Sequence, residues 1–244
     1  MRIEEGGVGL TVFIFVTIIL VASVLQTSTG FGFSIVATPF LLMIFEPNEA
    51  IQINLVLSLV ISAALIKKAY KDVDKGVLRR FIVGSLPGLP IGILIFLMAN
   101  ASHLKTGMGL VILTLTFLLM ANFRLKKTKR KDVIVGGISG TLTTGIGMPG
   151  PPILLYFSGT DTQKERLRAT AFAFYLYIYP ISLLIQVVFA GTSKTVWTSI
   201  GLALPLVGIG LYFGQLLFKH INQKYFRIFT YTALLFTGIY LLFP

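Results

Sequence analysis

No cysteine occurs in the 244 residues, which excludes disulfides and thiolate metal sites and leaves the redox compartment open. Charge is scarce as well. Only 12% of residues are charged, against about 25% in a soluble domain. Acids are the rarest charges, nine against 21 Lys and Arg, and each acid falls in the N-terminal tail or in a stretch that reads as a loop. The cores of the apolar runs therefore carry no carboxylate, and no obvious Lys or Arg. The two histidines, His103 and His220, also fall in loops. There is no metal-ligand cluster, no nucleophile–base pair and no Walker-type loop, so an enzyme has no residues to stand on, and neither metal nor cofactor is expected.

What is present is apolar. Hydrophobic residues make up 55% of the chain and mean hydropathy is +0.86. Runs long enough to cross a bilayer recur along the whole length. They are continuous rather than alternating, which argues for helices and against a β-barrel. No cleavable signal peptide stands out, since Arg2 is followed by two acids and Val8–Leu25 is long for such a segment. The net charge of +12 does not indicate nucleic acid. The basic residues sit in short loops between apolar runs, as the positive-inside rule expects of a membrane protein.

Two apolar runs are interrupted in the same manner. The first break, residues 27–34, reads Thr27-Ser28-Thr29-Gly30-Phe31-Gly32-Phe33-Ser34 and leads to Thr38-Pro39; the second, residues 143–152, reads Thr143-Thr144-Gly145-Ile146-Gly147-Met148-Pro149-Gly150-Pro151-Pro152. Glycine permits positive φ and proline stops a helix, so both stretches interrupt helical structure. At membrane depth such backbone is tolerated only where protein buries it or where it lines a polar cavity. A matched pair in the two halves of a chain is the best sequence pointer to a transporter's binding site.

Each break is followed by three spans: Ala50–Ile66, Phe81–Ala99 and Thr106–Phe123, then Ala169–Phe189, Thr195–Phe218 and Ile228–Phe243. The basic loops at 67–80, 124–132, 158–168 and 219–227 hold all Lys and Arg except Arg2, Lys105 and Lys194. Placing all four in the cytoplasm forces the second broken element to enter and return on one side, as a re-entrant hairpin. If the first is also re-entrant, the N-terminus lies outside, although Val8–Leu25 is long enough to cross alone. Three spans per half is an odd number, so the halves are inverted. The expected fold is thus an all-α polytopic membrane protein with two inverted repeats, residues 1–123 and 133–244, joined by a basic linker, 124–132.

Half-helices starting near Ser34 and Pro151 would aim their free N–H groups at one cavity, with the two hairpin tips meeting near the midplane. Helix N-termini suit anions. The candidate substrate-binding residues are Thr29, Gly30, Gly32, Ser34, Thr144, Gly145, Gly147 and Gly150, with Asn54 inside a span as a supporting donor. The competing use of these residue types is close helix packing, and that is the reading for Gly84, Gly88 and Gly92 and for Gly210 and Gly214. Tyr175, Tyr177 and Tyr179 sit mid-span, where packing is the first use and cavity lining the second.

At these stretches the sequence resembles the sulfite exporter TauE/SafE family of membrane transporters. The resemblance rests on Gly30-Phe31-Gly32-Phe33 with Thr38-Pro39, Asn54-Leu55, Ser139-Gly140 and Gly145 through Pro152. It extends over nearly the whole chain. Family copies often carry a longer glycine run in each break, where Phe31, Phe33 and Met148 intervene here. The resemblance implies transport of sulfite or an organosulfonate across the inner membrane of a bacterial or archaeal cell. The expected partners are a small anion and the lipid bilayer, with no nucleic acid; a homo-oligomer is left open. Two rivals remain at this point: an anion channel of the same fold, and a non-transporting membrane partner protein.

Overall fold

A computed structural model describes residues 8–121, 124–220 and 223–242. The fold is helical throughout. Among the described residues there are ten α-helices and a single 3₁₀ turn: α1 Val8–Thr29, α2 Gly32–Leu41, α3 Pro47–Ala69, the turn Tyr70–Asp72, α4 Lys75–Met98, α5 Ala101–Met120, α6 Lys129–Ile146, α7 Gly150–Gly159, α8 Lys164–Ala190, α9 Lys194–His220 and α10 Gln223–Leu242. Among the described residues, six stretches of helix are long and apolar enough to cross a membrane: Gly9–Thr29, Pro47–Asp72, Lys75–Met98, Ser102–Met120, Lys164–Ala190 and Lys194–His220. Large apolar side chains such as Phe117 and Leu202 face outward, more than 70% exposed (72% and 74%), while Thr27, Ser58, Thr144 and Gln186 are buried. That inside-out distribution is what a bilayer solvent selects. This is a multi-pass membrane protein.

The helices begin earlier than the apolar runs suggest. The stretch Glu46-Pro47-Asn48-Glu49, which reads as a turn, is the start of α3: Glu46 and Glu49 form a capping box and Pro47 takes the first helical turn. Asp74 caps α4 by accepting from Val77 N–H at 3.0 Å, and Thr128 caps α6 from Lys131 N–H at 3.3 Å. The basic loops are therefore largely the polar first turns of helices. This overturns the expectation that every acid lies in a loop or tail. Asp132 belongs to α6 and is wholly buried, where it accepts from Arg80 Nε and from the Tyr156 hydroxyl, both at 2.5 Å. Positions 122 and 123 of the third expected span and position 243 of the last lie outside the described residues.

Glycine decides which helices touch. Gly84, Gly88 and Gly92 of α4 lie against the backbone at Val133, Gly137 and Thr141 of α6, and Gly136 and Gly140 of α6 lie reciprocally against Phe81 and Ser85. Gly210 and Gly214 of α9 make room for the side chains of Ser23 and Thr27 of α1. Both ridges pack helices, as their spacing indicates. In each pair the contacts ascend together along both helices, so α4 runs parallel to α6, and α1 to α9. Two other pairs are antiparallel. Asn48 and Gln52 at the start of α3 donate to Ala190 O and Gly191 O at the end of α8, at 3.4 and 2.6 Å. Gly109 of α5 meets Leu241 and Leu242 of α10, and further along α5 Leu113 meets Gly238.

The same contacts sort the helix ends onto two faces. On one, Glu49 accepts from Ser193 at 2.6 Å. On the other, Lys68 bonds Gln215 at 2.9 Å, Lys127 bonds Asp74 at 2.7 Å and Arg124 pairs with Asp161. Nearly all the cations gather at that second, basic face. Asp74 there is held below the usual carboxylate range: burial pushes its carboxyl up, but the Lys127 bond, the Val77 N–H and the charges of Lys127 and Arg166 outweigh it.

Candidate functional site

Both breaks are tighter than the residue types suggest. At the first, only Gly30 and Phe31 are outside helix. Gly30 has φ +91° and its N–H still reaches Gln26 O at 2.8 Å. At the second, residues 147–149 leave the helix; Gly147 has φ +72° and ends α6 in the left-handed conformation. Thr29 thus closes α1, and Gly32 and Ser34 open α2.

The two breaks touch through Phe31 and Gly150, but their long arms extend beyond that contact in opposite directions. The 22 residues of α1 span about 33 Å, and the 18 of α6 about 27 Å, too long to end halfway. The two long arms run past one another. Gly30 lies beside Arg168 near the start of α8, where an added Cβ would stand 2.8 Å from Arg168 Cα. Thr144 lies near the other end of α8, accepting at its carbonyl from Gln186 Nε2 at 2.5 Å and sharing a 3.2 Å hydroxyl contact with Ser182. What meets between those levels is the pair of short arms. A Cβ at Gly150, the first residue of α7, would stand 3.0 Å from Phe31 Cβ and 3.2 Å from the Tyr175 hydroxyl. The N-terminal ends of α2 and α7 therefore face one another across Phe31, halfway along α8.

The candidate residues divide accordingly. Gly32, Ser34 and Gly150 stand at that meeting point. Gly30 and Thr29 stand at the basic-side tip, and the Thr29 hydroxyl donates to Leu25 O at 2.7 Å while accepting from Phe31 N–H at 3.3 Å. Gly147 and Thr144 stand at the opposite tip. Gly145 faces Gly92 of α4 and so belongs to the helix seam. Several break hydroxyls spend their proton on the preceding turn rather than in a cavity, Ser28 on Val24 O at 2.8 Å and Thr143 on Ser139 O at 2.5 Å, the ordinary behaviour of such residues in apolar helices. The donors of α7 are also fewer than an average helix start supplies, because Pro151 and Pro152 in its first turn have no N–H.

A polar chain joins the two breaks through α3. Asn54 Nδ2 donates to Gly147 O at 2.7 Å, and Ser58 Oγ lies 3.4 Å from Asn54 Oδ1. Gln26, just before the first break, donates to Ser58 O at 2.9 Å and to Ser62 Oγ at 3.3 Å. The Tyr179 hydroxyl lies beside those of Ser58 and Ser34 without a hydrogen bond of regular geometry. Asn54, Ser58 and Ser62 recur every four residues, a polar stripe on one helix face that the sequence displays and that reading Asn54 alone missed. Tyr175, Tyr179, Ser182 and Gln186 form the facing stripe on α8. Because Asn54 is buried and satisfies a break carbonyl, Asn54→Leu should lower stability by about 1–3 kcal/mol, read as an earlier melt in detergent; an unchanged melt would remove the bond to Gly147 from this account.

The hydroxyls of Ser23, Thr27, Ser34, Thr38, Ser139, Tyr175 and Tyr179 are buried and make no hydrogen bond of regular geometry within the protein. Orphaned buried polar groups cost about 1–3 kcal/mol each and are few in native folds. Here Ser34, Tyr175 and Tyr179 converge on the place where the two short arms meet. A group that accepts several hydrogen bonds would fit the set.

The family model of the sulfite exporter TauE/SafE transporters matches residues 15–241. The chain belongs to this family. The match begins within α1 and takes in all of α2 to α9, so the polar centre and both tips of this TauE/SafE chain lie inside it. Among curated proteins nothing matches, and among solved structures nothing matches.

Proposed function

We propose that this TauE/SafE protein is a secondary transporter of a small sulfur oxoanion, sulfite or an organosulfonate, working by alternating access around the two short arms. One observation carries the reading: unpartnered, buried hydroxyls of Ser34, Tyr175 and Tyr179 converge where the N-terminal ends of α2 and α7 face each other. An oxoanion offers several acceptor lone pairs, and an uncharged donor set binds it weakly enough to release it. The family supports the substrate class and, with it, the inner membrane of a bacterial or archaeal cell.

Two inverted repeats complete the proposal. The packing supports them, since an exchange of α1–α5 with α6–α10 turns the α4–α6 pair into the α9–α1 pair, both parallel and both glycine-lined. The pairs that map onto themselves, α3 with α8 and α5 with α10, are antiparallel, as an axis in the membrane plane requires. Under the positive-inside rule the basic face is cytoplasmic, and α1 and α2 then form a hairpin entered from the opposite side.

The test is Tyr179→Phe together with Ser34→Ala, each removing an orphaned hydroxyl. Uptake of sulfite and methanesulfonate into proteoliposomes should fall at least tenfold, while the melting temperature holds or rises, because a buried donor without a partner has been deleted. Native-level flux in both variants would refute this site; a fall in stability alongside flux would make the hydroxyls structural.

A further inference from the structure

The first hairpin tip is tied to α8 by a cation that forms the wall of a cavity. Arg168, in the second turn of α8, donates from Nε to Thr27 O at 2.7 Å. Thr27 is in the last turn of α1, where carbonyls lack helical partners and a cation suits the helix dipole. The guanidinium lies 4.0 Å from the Phe218 ring centroid and 5.3 Å from that of Phe172, and the Arg168 backbone abuts Gly30. The cavity beside it holds about 230 Å³ and is lined by Lys68, Arg168 and Lys219, with Gln215, Asp72 and Glu165. Three cations face two carboxylates, one of which, Glu165, also has Lys164 at 3.9 Å. The opening is on the basic face. Helix capping alone explains the Nε bond, but neither the cavity nor the two lysines.

We propose that this cavity is an anion-docking site on the basic face, and that the docked anion draws Arg168 away from the Thr27 carbonyl. This deepens the transport reading and rests on it for the identity of the anion. The exchange is favourable in kind: a guanidinium bonds an oxoanion through charge-assisted, forked contacts and a neutral carbonyl through weaker ones. Releasing Thr27 frees the end of α1, and with it Gly30 and Phe31, from α8. Docking at the surface thereby loosens the hairpin that shields the polar centre.

The chain has no cysteine, so Ala69→Cys places a single reporter thiol in the cavity wall. Its rate of modification by a membrane-impermeant thiol reagent is measured with and without methanesulfonate, chosen because sulfite itself consumes such reagents. Protein in phosphatidylcholine vesicles should be labelled several-fold more slowly with methanesulfonate present. Arg168→Gln should abolish that protection. Lys68→Gln with Lys219→Gln, two exposed positions whose loss leaves the hairpin intact, should raise the protecting concentration about tenfold. Arg168→Lys, which keeps charge without the fork, should protect weakly. Labelling indifferent to methanesulfonate, in protein that transports it saturably, would overturn the docking site and leave the transport reading standing. Protection without flux would do the reverse. The headgroup of an anionic phospholipid offers the same chemistry. Slow labelling in phosphatidylglycerol vesicles and fast labelling in phosphatidylcholine, each indifferent to methanesulfonate, would assign the cavity to lipid and overturn the proposal.

Discussion

Gly88→Leu should leave almost no folded protein in the membrane, whereas Gly208→Leu should go unnoticed. Both are mid-helix glycines in spans. A Cβ at Gly88 would collide with Gly137 O and stand 2.8 Å from Thr141 N, while at Gly208 nothing lies within 4 Å. The obstruction at Gly88 is backbone, which no rotamer change can move aside, so α4 and α6 must separate along the seam that also holds Gly84, Gly92, Gly136 and Gly140. Overpacking a side-chain core costs about 1–3 kcal/mol, occasionally more; against backbone the cost should exceed about 3 kcal/mol, a large part of a marginal total. Size-exclusion profiles of detergent extracts read the outcome. A native monodisperse peak from Gly88→Leu would mean that α4 and α6 do not share this seam.

Asp132→Ala should be the most damaging change of a charged residue. Its carboxylate is wholly buried in the first turn of α6 and binds Arg80 of α4 and Tyr156 of α7, so one side chain joins three helices at the base of the second hairpin. Removing it leaves a guanidinium and a phenol without their partner. Breaking such a pair costs about 3–5 kcal/mol, and the lower end applies because the Arg80 side chain keeps 29% exposure. Arg80→Met in the Asp132→Ala background should recover part of the loss, since it deletes the stranded charge. Melting temperatures of the two single variants and the double variant form the cycle. Strict additivity would show that the two groups are not coupled.

How much of this was legible in the residues depends on what each residue must do locally. Gly30 and Gly147 were readable as breaks because both occupy left-handed backbone, a demand set by sterics and met within one residue. The ridges at Gly84, Gly88 and Gly92 and at Gly210 and Gly214 were readable because spacing of four defines a helix face. Arg168 and Asp132 were not. Hydropathy marks where an apolar run starts, whereas α6 and α8 start several residues earlier, so both charges read as loop residues although they are helical. Nor was it legible how far each long arm reaches beyond the contact between the breaks. It follows from the lengths of α1 and α6, and the termini of those helices depend on caps and partners elsewhere, such as Thr128 and Arg168. The hydroxyl-rich character of the breaks signalled a polar site, and Ser34 of the first break is part of it, yet Thr29 and Thr143 turn their protons inward; the hydroxyls that converge with Ser34 belong to Tyr175 and Tyr179 on α8, whose position only the tertiary fold determines.

The two glycine seams cross the middle of the chain. α6 opens the second half but is fastened backbone to backbone onto α4 of the first, and α1 opens the first half but is fastened onto α9 of the second. Each half thus holds the long arm of the other's hairpin, as clasped hands hold each other's fingers. A chain cut at 124–128, the non-helical part of the 124–132 linker, should therefore reassemble only if both pieces are made in the same membrane. Any displacement of either long arm would have to carry a helix of the opposite half with it, because the seams leave no room for the two to slide apart.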